Sequence, residues 1–450
     1  MLAFVKAIIK IISLRFFYFG SFLTALISIF KDAKWGLLLL VFYLPQPNIF
    51  YKFHGLFWGK DIIDILFFSV LFGIFIRYKG LKLNNNAVLI IFFIIIYYLE
   101  LWNSSLRFSL PVPITTANDL LRDWKNFAIM AFLYVLVINV ARDEDRQKTL
   151  TLLITFVILI IAIRCFREFT PGTSFRWDKR LNGPFEAVGL GSNHLGAFIV
   201  DYGAVVFGLY LFDKDRVRKW LYLATVLFCL HPLFFSYSRG AYIAAFGVIV
   251  LFGLLKKRSL ILVALVVTLA WQTLLPASVV DRISMTENEH GQIEHSASTR
   301  MELWEFAINL FKKYPLFGVG YGGYSLSVGG YQLSSGEEVQ QGFDSHNFWV
   351  KILCEQGALG FSLFLLILFK AFHSGIKLFK MGNSNFQRGL GFGFTGCVLS
   401  MAITNVFGDR WSYLSLGSYF WIIWGIVDSS LASATKEIAI KNAVQEPVKK

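Results

Sequence analysis

Apolar runs of bilayer-crossing length, separated by short charged breaks, recur along most of this 450-residue chain. Each crossing of a hydrocarbon core needs about 20 residues of helix, fewer where polar ends snorkel. The pattern places spans near 36–51, 61–77, 87–102, 125–141, 149–166, 190–212, 218–237, 239–255, 259–277, 347–369, 387–407 and 411–428. Residues 13–30 are either a further span or a helix lying in the interface beside Lys31, Asp32 and Lys34. The expectation is an all-α, polytopic integral membrane protein with about 12 transmembrane helices and one large loop on the outer side. The bilayer is its first partner.

Composition agrees, since a chain 56% hydrophobic and 16% charged, with 47 Phe, 18 Tyr and 12 Trp, cannot cover itself with polar surface. A net charge of +14 raises the possibility of nucleic acid. The cations, however, sit in short loops between apolar runs, so the charge reads as topology and no nucleic-acid partner is expected. Segments 77–82, 214–219, 256–258, 370–388 and the tail after 429 fall on one side if twelve spans alternate, and that side is the cytoplasm. The chain then divides into an N-terminal bundle (1–277), an outer loop (278–346), C-terminal helices (347–428) and a cytoplasmic tail (429–450). Lys6, Lys10 and Arg15 without a small-residue cleavage motif suggest a retained anchor. Cys165, Cys229, Cys354 and Cys397 lie in apolar stretches without ligand spacing and read as packing residues; no metal or cofactor is expected.

The outer side receives 103–124, 167–189, the turn at Ser238, 278–346 and the turn around Asp409. Within the long loop, Thr299-Arg300-Met301-Glu302 matches a capping box. Glu302, Glu305, Asn309 and Lys312 then recur opposite Met301, Leu303, Trp304, Ala307, Leu310 and Phe311 until Pro315, predicting an amphipathic helix on or over the membrane surface. Gly318, Gly320, Gly322 and Gly323 follow as a tight backbone passage. With no preceding strand and no Lys-Ser/Thr, they do not make a phosphate-binding loop.

Arg239, in Phe235-Ser-Tyr-Ser-Arg-Gly-Ala-Tyr-Ile-Ala, stands at the outer interface. It is either a snorkelling helix end or an anion ligand at a helix N-terminus, where free N–H groups and the dipole would assist it. Arg300 falls in the predicted first helical turn, against the dipole, and is either a solvated surface charge or a ligand. His346, in Phe343-Asp-Ser-His-Asn-Phe-Trp-Val-Lys, sits where the loop re-enters the membrane. A lone His is usually structural, but one at this boundary, with an ordinary pKa of ~6.5, is also suited to general-base work. Further outer-side candidates are Arg176, Lys179, Arg180, His194 in Gly191-Ser-Asn-His-Leu-Gly, and the pair Asp409 and Arg410. Gathered cations of this kind suit a polyanion such as a lipid-linked pyrophosphate. Asp201, inside a span, is a functional or inter-helix pairing candidate.

The chain resembles the O-antigen ligase and O-antigen polymerase superfamily. The topology carries the resemblance, together with Arg180-Leu-Asn-Gly-Pro-Phe, Asn193-His-Leu-Gly-Ala-Phe, Ser236-Tyr-Ser-Arg-Gly-Ala-Tyr-Ile-Ala-Ala, residues 299–323, and Ser345-His-Asn through Glu355-Gln-Gly-Ala-Leu-Gly. It implies a multi-pass protein of the bacterial inner membrane with its active face periplasmic. The implied activity is that of a metal-independent, inverting glycosyltransferase. It would move a glycan from an undecaprenyl diphosphate carrier to a hydroxyl acceptor, lipid A core for a ligase or a second carrier-linked glycan for a polymerase. The resemblance makes Arg239 and Arg300 the diphosphate ligands and His346 the base; no carboxylate pair of the hydrolase kind is evident. The competing class is a transporter with Asp201, Arg239 and His346 along its path, although no half-to-half repeat supports it.

Overall fold

The computed structural model describes residues 2–169, 172, 174–285 and 295–445. Its elements in chain order are α1 (Leu2–Phe30), α2 (Lys34–Tyr43), α3 (Pro47–Phe50), α4 (Ile62–Tyr78), α5 (Asn85–Arg107), α6 (Asp119–Val140), α7 (Glu144–Glu168), α8 (Ser192–Phe212) and α9 (Arg216–Phe235), then α10 (Arg239–Leu255), α11 (Ser259–Leu274), α12 (Ala277–Ser284), α13 (His295–Lys313), α14 (Gly323–Ser327), α15 (Phe348–Met381), α16 (Asn385–Thr404) and α17 (Leu414–Gln445). Polar residues at the breaks start the helices: Asn84, Asp143 and Asp215 each accept from a first-turn N–H, and Ser384 with Gln387 forms a full capping box.

Among the described residues the fold is all-helical. Six helices are long and apolar enough to cross a membrane: α5, α6, α7, α8, α15, and α16 with the turn that follows it. A seventh is added if α11 and α12, bent by 104° at their junction, are taken together. Helix length and composition therefore carry fewer crossings than the twelve expected. The segment 36–51 is not one helix, because Pro45 and Pro47 separate α2 from α3. The segment 259–277 ends at Leu274, ahead of Pro276. The four cysteines are buried and free.

Close helix approach is built on small residues. A Cβ at Gly208 of α8 would lie 2.4 Å from the Cα of Gly393 on α16, so these backbones touch only because neither position has a side chain. Asp201 accepts from Ser400 at 2.5 Å across the same helix pair, which makes it an inter-helix pairing residue. In α17, residues 415–430 are buried on all sides, with Trp421 and Trp424 wholly enclosed.

Two ends of the bundle can be told apart by what meets there. At one, Arg77 donates to the Lys31 carbonyl (2.7 Å), Arg146 pairs with Asp32 (2.9 Å), the Lys82 N–H donates to Asn139 (2.9 Å), Arg218 pairs with Asp213 (2.7 Å) and Asn383 donates to Glu437 (2.8 Å). These are the cation-rich segments. The segments assigned above to the outer side meet at the other end, around a break in α15. Gly357 has φ +60° and ψ −163°, a conformation essentially reserved for glycine. The break frees the carbonyls of Cys354 and Glu355, which accept the N–H groups of Val319 (2.9 Å) and Gly320 (2.8 Å). Ala358 returns a bond to the Pro315 carbonyl (2.8 Å), and Tyr321 reaches the Glu100 carbonyl (3.0 Å). Gly318 and Gly320, both at positive φ, are tight because a Cβ there would meet backbone at 2.4 and 2.3 Å respectively. An irregular segment is thus threaded between α5 and α15 with its hydrogen bonds satisfied, the condition for non-helical backbone beside a membrane.

The long loop is largely helical in its described part. α13 begins at His295, so Thr299 lies inside the helix and does not cap it; Glu302 instead accepts from the N–H and hydroxyl of Ser334, at 2.7 and 2.9 Å. Leu303 and Ala307 pack against Tyr324, Val328 and Cys354, while Met301, expected on the packed face, is exposed.

Candidate functional site

His346 is the last turn residue before α15. Its φ of +54° is unusual for a side-chain-bearing residue, and the turn is held from both sides. The Trp304 indole donates to the Ser345 carbonyl (2.9 Å), and Asn347 caps α15 by accepting from the Trp349 N–H (3.0 Å). The imidazole, 42% exposed, places Nδ1 3.9 Å from Asp344, beyond hydrogen-bond reach but close enough for attraction between charges. Asp344 lies 3.6 Å from Lys351, one turn into α15, and Lys351 lies 3.0 Å from Asp409. His346, Asp344, Lys351 and Asp409 follow one another as imidazole, carboxylate, ammonium and carboxylate.

Arg300 joins His346 from α13. The two line one cavity of about 350 Å³, whose other walls come from Thr299, Leu303 and Phe343 and from 333–340, including Glu337 and Glu338. Since α13 starts at His295, Arg300 stands in its second turn, and the dipole conflict expected from a Thr299 start does not arise. Arg239 is the first residue of α10, behind Ser238, whose hydroxyl accepts from the Ala241 N–H (3.4 Å). The cation thus sits at a helix N-terminus. Gly240 lets the helix start press on Phe407; a Cβ would meet that ring at 2.7 Å.

Arg180 connects these groups. Its guanidinium donates to Asn193 (2.8 Å) and to the Ser236 carbonyl (2.8 Å), three residues before Arg239. Burial, and then the neighbouring charges of Arg282, Arg300 and Arg239, pull its pKa down to about 10. The same effects act on His346: burial lowers its pKa, Asp344 opposes this, and Arg300, Arg410 and Lys351 lower it further. The imidazole is therefore neutral at pH 7. Asp409 is 1% exposed. Burial alone would raise its pKa, but Lys351 and the Ser412 N–H outweigh it and hold the carboxyl below its usual range.

The remaining candidates divide. Arg176 is exposed and pairs with Asp178 (2.9 Å), and Lys179 is exposed beside it. Arg410 is buried, folded over Gly408 with its guanidinium on the carbonyls of Asp409 (3.1 Å) and Phe407 (3.4 Å); it supports the turn from beneath. His194 stands edge-on to Tyr413, ring centroids 5.5 Å apart. Three participants were missed in the sequence. Arg282 is buried against Phe175 and Trp177, 4.3 Å over the latter ring. Lys351 carried the signal that a cation inside an apolar span is seldom idle. Asp344, two residues before His346, had only its proximity in sequence to recommend it.

Residues 202–365 match the O-antigen ligase family model. The matched stretch holds Arg239, Arg300, His346 and Lys351, while Arg180, His194, Asp409 and Arg410 lie outside it. No curated protein matches the chain. A domain of this family goes with ligase- or polymerase-type activity, with a lipid-linked glycan and an acceptor as its general partners, and the apolar helices make this a multi-pass membrane protein. Over that stretch the match supports the O-antigen ligase superfamily.

Proposed function

We propose that this protein is an O-antigen ligase-like glycosyltransferase of the bacterial inner membrane, moving a glycan from undecaprenyl diphosphate to a hydroxyl of lipid A core on the periplasmic face. The observation that supports it is the meeting of Arg300 and His346 in one cavity, together with Arg180, which feels the charges of Arg282, Arg300 and Arg239. Arg239 and Arg300 hold the diphosphate, and the guanidinium forks and the α10 N-terminus take up the charge that develops as it leaves. His346, neutral and with Asp344 nearest Nδ1, accepts the acceptor proton at Nε2. The freed oxygen attacks the anomeric carbon, the bond from that carbon to the phosphate oxygen breaks with its electron pair going to undecaprenyl diphosphate, and the configuration inverts. The protein's residues thus supply base and charge stabilisation for the step, with no metal in it.

A polymerase of the same superfamily would use the same donor machinery with a second carrier-linked glycan as acceptor. Purified protein in detergent, given undecaprenyl diphosphate-linked glycan with either acceptor, tests both. Transfer by wild type and its loss in folded His346→Ala and Arg239→Ala supports the reading, and the acceptor used separates ligase from polymerase. Binding of the lipid without transfer to either acceptor would refute it in favour of a transporter.

A further inference from the structure

Beyond the His346 cavity, on the far side of the Asp344–Lys351–Asp409 chain, lies a larger cavity of about 830 Å³. Its walls come from segments distant in sequence: the turns at 47–64, the start of α6, the 321–325 passage, the first turns of α15 and the turn before α17. Its chemistry differs from that around His346. There a single arginine, Arg300, lines the wall with Glu337 and Glu338, whereas here several acids and bases stand in pairs. Lys125 bonds Asp64, Arg122 lies 3.8 Å from Asp123, and Lys351 is 3.0 Å from Asp409. Paired charges leave little net field to draw a polyanion, but they present many donors and acceptors at fixed positions.

Aromatic faces are set among these polar groups. Tyr97, Tyr321, Phe348 and Tyr413 line the cavity, with Tyr97 fixed by stacking on Phe127 at 4.3 Å. The Tyr97 hydroxyl and the Gln356 side chain are buried neighbours behind this wall. The donors and acceptors open to the cavity come from Asp61, Arg122, Asp123 and Asn126. A pyranose ring has this pattern in complement, with one face of C–H groups for an aromatic ring and an edge of hydroxyls for carboxylates and amides. The volume accommodates a short oligosaccharide.

We propose that this cavity is a saccharide subsite, holding the uncharged, hydroxyl-rich part of a glycan whose reacting end lies at His346. The proposal rests on the transferase reading for its orientation, and on the cavity's own chemistry for its ligand class. Lys351 links the two compartments, since it lines the larger one and pairs at 3.6 Å with the carboxylate that faces His346.

The test uses Asn126→Trp, which fills the cavity from α6, and Tyr97→Phe, which removes a single hydroxyl, each checked by its melting temperature against wild type. Steady-state transfer is measured with donor and acceptor lipids extracted from native membranes. Binding of glycan-bearing and bare undecaprenyl diphosphate is measured separately. In Asn126→Trp the KM for one lipid rises by about tenfold or more, and kcat changes far less. A rise in acceptor KM places the acceptor sugars in the cavity, and a rise in donor KM places the carrier-linked glycan there. Affinity for bare undecaprenyl diphosphate stays at the wild-type value. Both KM values unchanged in a folded Asn126→Trp overturn the subsite, as does an equal loss of affinity for the bare and glycosylated carriers. If wild type transfers nothing, the transferase reading fails alone. The subsite then stands or falls on whether Asn126→Trp weakens binding of a glycosylated lipid, donor or acceptor, relative to bare carrier.

Discussion

Replacing Lys351 by methionine isolates the link on which the site's geometry depends. Lys351 Nζ is 3.0 Å from Asp409 and 3.6 Å from Asp344. Asp409 is 1% exposed, and its other carboxylate oxygen accepts from the Trp411 and Ser412 N–H groups at 3.0 and 2.9 Å. Methionine keeps the length of the side chain and removes its charge, leaving a buried carboxylate without its cation. Breaking a buried pair from one side costs about 3–5 kcal/mol, and the two backbone donors that remain favour the lower figure. In Lys351→Met/Asp409→Asn the amide oxygen still accepts from both N–H groups and only the partly exposed Asp344 carboxylate loses its cation, so the expected residual loss is ~1–2 kcal/mol. Thermal unfolding in detergent, followed by tryptophan fluorescence, measures both variants. The pH dependence has a definite sign. In wild type the depressed Asp409 pKa stabilises the fold at neutral pH, and that contribution is lost as pH falls through the folded value. In Lys351→Met only the backbone donors oppose burial, so the same pKa lies higher than in wild type, acidification neutralises the stranded charge sooner and the gap to wild type narrows. A single variant as stable as wild type, a gap that persists to low pH, or a double variant no better than the single would each refute this account.

Transfer by wild type should be flat above a pH of ~6.5 and decline as pH falls through the lowered His346 pKa, because protonation removes the base; a rate that rises on acidification contradicts the assignment. His346→Ala should lower kcat by about 10²–10⁴-fold while leaving affinity for undecaprenyl diphosphate in place, as read by separate turnover and binding measurements. Arg300→Ala should weaken carrier binding and, by removing a cation that lowers the His346 pKa, move the acid limb to higher pH; a limb that stays put would separate the two residues. Gly357→Ala forces a Cβ to 2.4 Å from the Leu316 backbone at a φ of +60°, which costs roughly 2–6 kcal/mol in strain and overpacking and shows as a lower unfolding temperature.

Apolar length and helix-stopping residues made the helices legible, and where the sequence misled, the reason is local. Pro45 and Pro47 sit inside a run whose hydropathy alone reads as continuous, and hydropathy does not register that proline ends a helix. Gly357 is harder, since a single glycine in an apolar run is ordinary. Only the threaded segment 315–320, forty residues upstream, explains why this glycine breaks α15. The capping-box pattern at Thr299 was a true motif in the wrong setting, because α13 had already begun at His295. Glu302, the acid that would have closed the box, instead anchors the turn at Ser334.

The site divides along the same physical line. Arg239 and His346 were visible because each breaks a rule of its neighbourhood, a cation on the face that disfavours cations and an imidazole at a membrane boundary. Arg282 and Asp344 break no such rule, and their importance exists only in three dimensions, where Arg282 lies against Trp177 and Asp344 links His346 to Lys351. That distinction bears on how the chemistry is arranged. Residues that touch substrate carry their cost openly in the sequence, as misplaced charge. In the proposed mechanism Asp344 and Lys351 act on the base by pairing and charge, without contacting what it deprotonates. A site assembled this way keeps its arginines poised for an anion and its base neutral at once. In the proposed mechanism Arg300 has both duties, since it faces the diphosphate and adds to the burial that holds the His346 pKa down, so at this residue binding power and basicity are set together.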